Sequence, residues 1–219
     1  MQYLPLMLDV KNIPCLVVGG GSVAARKVES LLRSCAQVFI VSSHLGEELS
    51  TLCSQGTVTH LTQTFDAVPL NQYRLIIAAT DDEQLNQQVA QAAQAAQVLV
   101  NVVDAPQHST AIFPAVIDRD PVIVAISSSG ASPILARRLK TRIEAMLPAS
   151  YGEFAKLTQR YRHAVQQALA TLPQRLRFWE QVIDGPIAEQ ALAGQMHAAE
   201  THLQQALANA TAQGDVPLK

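Results

Sequence analysis

Residues 14–26 read PCLVVGGGSVAAR, and this stretch decides the fold. Cys15 to Val18 form a short apolar run rich in β-branched residues, the composition of a strand buried on both faces. Three glycines follow, and Ser22-Val23-Ala24-Ala25-Arg26-Lys27 then opens a helical pattern. Gly19, Gly21 and Ala24 fall in the order G-x-G-x-x-A. In a strand–turn–helix unit the first glycine permits the tight turn, the second lets a pyrophosphate approach the backbone, and the small third residue lets helix and strand pack closely. An anion held there meets free N–H groups at the positive end of the helix. The spacing alone is a weak signal, since a glycine-rich turn that binds nothing has the same letters. Its place between a strand and a helix is what points to a dinucleotide.

Moving outward, apolar runs alternate with helical patterns. Strands are predicted at 14–18, 37–41, 57–61, 75–79 and 98–103, and helices at 23–33, 47–52 and 83–97. Thr80-Asp81-Asp82 supplies the N-cap of the last of these helices. The apolar stretch at 3–8 is expected to add a small strand or to cover the sheet. This alternation specifies an α/β fold, a doubly wound parallel sheet with helices on both faces. After Asp104 the pattern changes. Two strands at 111–117 and 122–126 are joined by the turn-like Asp118-Arg119-Asp120-Pro121. Ser132-Pro133 then starts a helix that runs to about 147. Helices are predicted beyond it at 151–170, 174–183, 186–193 and 196–211, with Phe178 and Trp179 as packing anchors. The expected organisation is a Rossmann-like domain over 1–113, a segment of strands plus helix over 114–147, and a helical domain and linker over 148–219.

Composition excludes several classes. The 219 residues are 48% hydrophobic and 16% charged with a net charge of −2, enough for a sizeable core and without a basic footprint for nucleic acid. No apolar run approaches the ~20 residues of a membrane span, and MQYLPLMLDV lacks the basic region of a signal peptide. Cys15, Cys35 and Cys53 form no C-x-x-C pair and are expected to be buried free thiols in a reducing cytoplasm. The six histidines show no metal-binding spacing, so no protein metal cage is expected.

In an open parallel sheet ligands bind beyond the carboxyl ends of the strands. Four loops qualify: Gly19-Gly20-Gly21-Ser22 for the pyrophosphate, Ser42-Ser43-His44 for the adenosine ribose, Thr80-Asp81, and Asp104-Ala105-Pro106. The ribose loop offers Ser43 and His44 in place of the acid usual for NAD, which leaves NAD and NADP both open. A crevice-facing Asp104 that loses part of its water would be raised from about 3.9 toward the range useful for proton transfer. A turn-forming Asp fits the Asp-x-Pro context equally well. Arg137, Arg138, Lys140 and Arg142 on one helix form either a solvated face or a site for a polycarboxylate.

YLPL at 3–6, VVGGGSVAARK at 17–27, AATDD at 78–82, VNVVD at 100–104, FPAVIDRDP at 113–121, AISSSGASP at 125–133 and RFWE at 177–180 occur in this order. Together they resemble the precorrin-2 dehydrogenase/sirohydrochlorin ferrochelatase module of bifunctional sirohaem synthases, over nearly the whole chain. The resemblance implies NAD-dependent oxidation of precorrin-2 to sirohydrochlorin and insertion of ferrous iron, a substrate held by the tetrapyrrole, to give sirohaem. It implies a homodimer with 114–147 as its dimerisation segment. It places NAD on Ser22-Val23 and Ser43-His44, with Gly19, Gly21 and Thr80 completing the expected cofactor site. Asp104 is the implied base in both reactions. Asn101, Arg119, Ser128, Arg137 and Arg138 are expected at the substrate, and Ser128 is also the implied phosphorylation site. Two departures stand out: His108-Ser109-Thr110-Ala111 replaces a stretch that often holds a Cys and an aromatic, and no second glycine motif of a fused methyltransferase follows. Either the enzyme stands alone or 214–219 is where a longer chain was cut, and the linker-like ending favours the second. A dehydrogenase without chelatase activity and a non-catalytic NAD-sensing module are the alternatives.

Overall fold

The computed structural model describes residues 2–61 and 64–214. The strand stretches of the first half become β1 (Pro14–Val18), β2 (Gln37–Val41), β3 (Thr59–Leu61), β4 (Leu75–Ala78) and β5 (Leu99–Val102), of which β3, Thr-His-Leu, is the least buried. They pair in the order β3-β2-β1-β4-β5, all parallel. Between them run α1 (Ser22–Arg33), α2 (Glu47–Ser54) and α3 (Glu83–Ala95). Strand side chains alternate faces, so each strand feeds two cores. Cys15, Val17, Ile40 and Ile77 join Val28 and Leu31 of α1 and Leu49 of α2 on one face. Leu16, Val18, Ile76 and Val100 join Val89 and Ala93 of α3 on the other. The chain winds outward from β1 to β3, then returns to build β4 and β5 on the opposite side of β1. That reversal opens a crevice at the carboxyl ends of β1 and β4.

β5 is an edge strand, and an edge leaves N–H groups unpaired. Here side chains satisfy them. The Thr110 hydroxyl accepts from Val100 N at 2.8 Å, and the Ser109 hydroxyl accepts from Val102 N at 2.9 Å. Ala111 N donates back to Val100 O at 3.0 Å. The Ser109-Thr110-Ala111 stretch, a departure from the family pattern, is thus the covering of the sheet edge.

Contact within the chain defines two units, Met1–Phe113 and Pro114–Lys219. The second opens with an antiparallel hairpin of β6 (Ala115–Arg119) and β7 (Val122–Ile126), joined by Asp120-Pro121 alone. The first of these strands starts later than its apolar run, because Ala111 is bonded to β5, and it continues through Asp118 and Arg119. Helix α4 (Pro133–Met146) is capped by Ser132, whose hydroxyl accepts from Leu135 N at 3.2 Å. Then come α5 (Ser150–Ala168), α6 (Leu172–Ile183), α7 (Pro186–Leu192) and α8 (Met196–Gly214). Thr171 and Gln174 form a capping box at α6. Phe154, Leu157, Phe178, Val182 and Leu203 form the core of this unit. Trp179 is partly buried and meets Phe178 edge-on at 5.3 Å.

Three expectations are corrected or fall outside the description. No strand forms in residues 2–13. Cys15 is buried, and burial pushes its thiol up to about 11, but Cys35 is exposed in a left-handed turn (φ 57°) and Cys53 is half-buried. The linker ending, but for Gly214, lies outside the described residues. No helix among the described residues is long and apolar enough to cross a membrane.

Candidate functional site

The glycine loop divides its labour residue by residue. Gly19 has φ +129°, and a Cβ there would collide with the Ala79 carbonyl at the end of β4. Gly20 would collide with the His44 carbonyl, and its own carbonyl accepts from Gly46 N at 2.9 Å. These two glycines therefore lock the loop between β4 and the segment after β2. Gly21 differs, because a Cβ there meets nothing within 4 Å. It is the N-cap of α1, with no side-chain cap and no acidic residue in the first turn. The leading N–H groups of that turn have no intrahelical acceptor, and the macrodipole adds positive potential. Ala24 and Ala25 are buried against the sheet, the close packing that small residues allow.

A cavity of about 900 Å³ lies over this loop, lined by Gly19, Gly21, Ser22, Val23, Ser43, His44 and Thr80 among others. The structure thus brings all seven expected cofactor residues to one cavity. Ser43 and His44 are exposed, and the Ser42 hydroxyl fixes their turn by donating to His44 O at 2.6 Å. His60 bonds Ser42 O through Nε2 at 2.9 Å, tying the turn to β3.

Thr80 is held by a residue that sequence reading missed. Asn86 on α3 is buried, and its Nδ2 donates to Thr80 O at 2.9 Å. The Thr80 hydroxyl donates to Asn86 Oδ1 at 2.8 Å. The available signal was one polar residue on the otherwise apolar stripe Asn86, Val89, Ala90 and Ala93.

Asp104 follows β5 with φ 59°, a conformation that Asp adopts more readily than most residues. It lines a second cavity of about 360 Å³, which shares Val23, Ala79, Thr80 and Asp81 with the first. The expected desolvation is not supplied by this unit, for Asp104 is exposed in the single chain. Two further acids, Asp81 and Glu83, line the same cavity.

Asn101 lies buried on β5, where its Nδ2 donates to Ala111 O at 2.9 Å. Its Oδ1 is also buried and has no hydrogen-bond partner among the described residues. Nearby on this face of the sheet, Lys27 of α1 sets its ammonium 4.1 Å from the centroid of the Phe113 ring. Burial pushes the Lys27 ammonium below the ordinary lysine range, Arg26 adds to this, and Asp104 opposes it.

The remaining expected residues lie in the second unit. Arg119 is engaged internally: its Nε donates to Leu147 O at 2.8 Å, and its guanidinium pairs with Glu144 at 3.5 Å. The Ser128 hydroxyl accepts from Ser132 N at 3.0 Å and closes the loop before α4. Arg137 and Arg138 are both exposed on α4. The described residues contain no group of three His, Cys, Asp or Glu able to hold a metal.

Residues 6–115, which hold the glycine loop and Asp104, match the family model described as "Putative NAD(P)-binding". The chain belongs to this NAD(P)-binding family. Residues 119–146 of the same family member match the central region of a sirohaem biosynthesis protein, and residues 150–207 match the sirohaem synthase dimerisation region. The chain is 46% identical over 214 residues to a sirohaem synthase of Nitrosomonas europaea, covering 97% of the chain and 45% of the relative. It is 44% identical to one from Methylococcus capsulatus, covering 99% of the chain and 46% of the relative. The chain thus spans under half the length of these relatives. A solved structure titled SirC, precorrin-2 dehydrogenase, superposes with a TM-score of 0.74 at 22% identity, covering 94% of this chain and all of that one, and supports the fold.

Proposed function

We propose that this chain oxidises precorrin-2 to sirohydrochlorin with NAD and inserts ferrous iron to give sirohaem. The observation that carries the reading is the adjacency of two cavities. One lies over an open Gly21 at an uncapped helix N-terminus, and the other holds Asp104. The donor set fits a dinucleotide. Gly19, Gly21, Ser22 and Val23 would hold the pyrophosphate, Ser43 and His44 the adenosine ribose, and Thr80, fixed by Asn86, the approach to Asp104. NAD, when bound, supplies a hydride acceptor.

Oxidation of the substrate releases a hydride and a proton, and Asp104 takes the proton. Iron insertion releases pyrrole N–H protons, so the same carboxylate serves both steps in turn. The tetrapyrrole nitrogens ligate the iron, so the chain needs no metal cage of its own. Arg137 and Arg138 are free to meet substrate carboxylates bidentately. Ser128 is either a substrate contact or a modification site, and Arg119 supports α4 behind them.

The reading includes a homodimer. Ile134, Leu135, Leu139 and Met146 of α4 are exposed large apolar residues, as are Val116 and Ile123 of the hairpin. An apolar set of this kind marks an interaction surface, and it lies in and beside the residues that match the sirohaem central region. Ile134→Glu is expected to weaken dimerisation at least about tenfold, read by light scattering, since a carboxylate cannot be buried unpaired. A wild-type monomer at micromolar concentration would remove the dimer from the reading. The cytoplasm, where thiols stay reduced, is the expected compartment, and a methyltransferase that makes precorrin-2 is the expected fused partner.

An anaerobic assay tests the whole. Precorrin-2 made in situ is mixed with NAD⁺, and the visible spectrum is followed before and after ferrous iron. NAD⁺-dependent formation of sirohydrochlorin, then an enzyme-accelerated spectral shift on adding iron, is the expected result. Oxidation with no acceleration of metal insertion leaves a dehydrogenase alone. NAD binding with no oxidation leaves a sensing module.

A further inference from the structure

Asp104 has acidic neighbours in its cavity, and its charge is felt by one lysine. The cavity it lines also carries Asp81 and Glu83 and no Lys or Arg. The Asp104 carboxylate favours the charged form of Lys27. Its ammonium lies over the Phe113 ring, half-buried and in no ion pair among the described residues. A cation over an aromatic face keeps part of its attraction when water is removed, but a half-buried ammonium is still short of solvation. It is therefore primed for an anion.

We propose that Lys27 is the anchor that receives a carboxylate of the tetrapyrrole, so that the macrocycle approaches Asp104 from the Lys27–Phe113 side. This inference rests on the function proposed above and goes further by choosing the face of entry. A half-buried ammonium with no ion pair among the described residues attracts a carboxylate. Phe113 contributes an apolar surface for the flat macrocycle. Lys27 lines neither cavity, so its role is separate from the cofactor contacts. It is a positioning residue, and the proton transfer stays with Asp104.

The test uses the full chain and two variants, Lys27→Met and Lys27→Arg. Met keeps the side-chain length and packs on Phe113 without the charge, so the fold is retained, and thermal unfolding checks this. A polycarboxylate porphyrin, uroporphyrin, is titrated against each protein by fluorescence, with NAD⁺ binding measured alongside. Lys27→Met is expected to bind the porphyrin about tenfold more weakly, the range of one charge-assisted contact, with NAD⁺ affinity unchanged. Lys27→Arg is expected to restore most of the loss. Equal porphyrin affinity in wild type and Lys27→Met overturns the anchor and leaves the proposed function standing. A loss of NAD⁺ affinity also overturns it, by assigning Lys27 to the cofactor. A wild-type chain that binds NAD⁺ but no porphyrin overturns the proposed function and the anchor with it.

Discussion

Asp104→Asn is expected to cut NAD⁺-dependent oxidation by about 10²–10⁴-fold, the usual contribution of a positioned general base, with NAD⁺ affinity and fold retained. The choice of Asn follows from the backbone. Asp104 has φ 59°, a left-handed conformation that costs an ordinary L-residue roughly 1–2 kcal/mol and is tolerated best by Gly, Asn and Asp. Alanine there would add strain to the loss of charge and confuse the two. Asparagine keeps the shape and the turn and removes only the ability to take a proton. Asp104 is exposed, so no internal packing is lost, and the change in stability should stay within about 0.5 kcal/mol. Lys27 loses the neighbour that favours its charged form, and porphyrin affinity should not fall, because one carboxylate competing for the ammonium is gone. Iron insertion is measured on the same protein. Loss of both activities assigns Asp104 to both proton transfers. Full oxidation in the Asn variant would remove it from the mechanism, and loss of oxidation with normal chelation would divide the two reactions between different bases.

The parallel sheet was legible because β1 and β4 at its centre are buried on both faces and so read as unbroken apolar runs. The cofactor loops were legible because an open sheet allows ligands only at the carboxyl ends of its strands. What was not legible depends on contacts between distant residues. The G-x-G pattern leaves its middle position free, yet Gly20 is fixed by a backbone that arrives with His44 and Gly46. Arg119 reads as one more cation for the substrate, but a carbonyl at Leu147 and a carboxylate at Glu144 take it. Ser109 and Thr110 read as a gap in the family pattern until β5 is seen to be an edge in need of acceptors. Cys35 lies beside the apolar end of α1 and reads as buried, but the turn that closes after the helix directs it outward.

The three glycines should respond to alanine in opposite ways. Gly19→Ala places a methyl on the Ala79 carbonyl in a backbone region that side chains disfavour, and Gly20→Ala places one on the His44 carbonyl. Neither obstacle is a side chain that can rotate away. Overpacking costs about 1–3 kcal/mol and the positive φ at Gly19 adds a further 1–3 or so, so Gly19→Ala should lower the unfolding midpoint of this unit by roughly 10–20 °C. Gly21→Ala has no such contact. Its cost is that of an alanine N-cap, about 1 kcal/mol or less. Its methyl instead occupies the space through which a pyrophosphate would reach the first-turn N–H groups, and NAD⁺ affinity should fall about 10- to 100-fold, close to the discrimination that a lost close approach and its charge-assisted bonds produce. Calorimetric titration with NAD⁺ beside thermal unfolding separates the two classes. A Gly21→Ala protein that binds NAD⁺ as wild type does would move the pyrophosphate off this loop. A Gly20→Ala protein as stable as wild type would mean that the segment at His44 yields, and the ribose contacts drawn from its position would have to be redrawn with it.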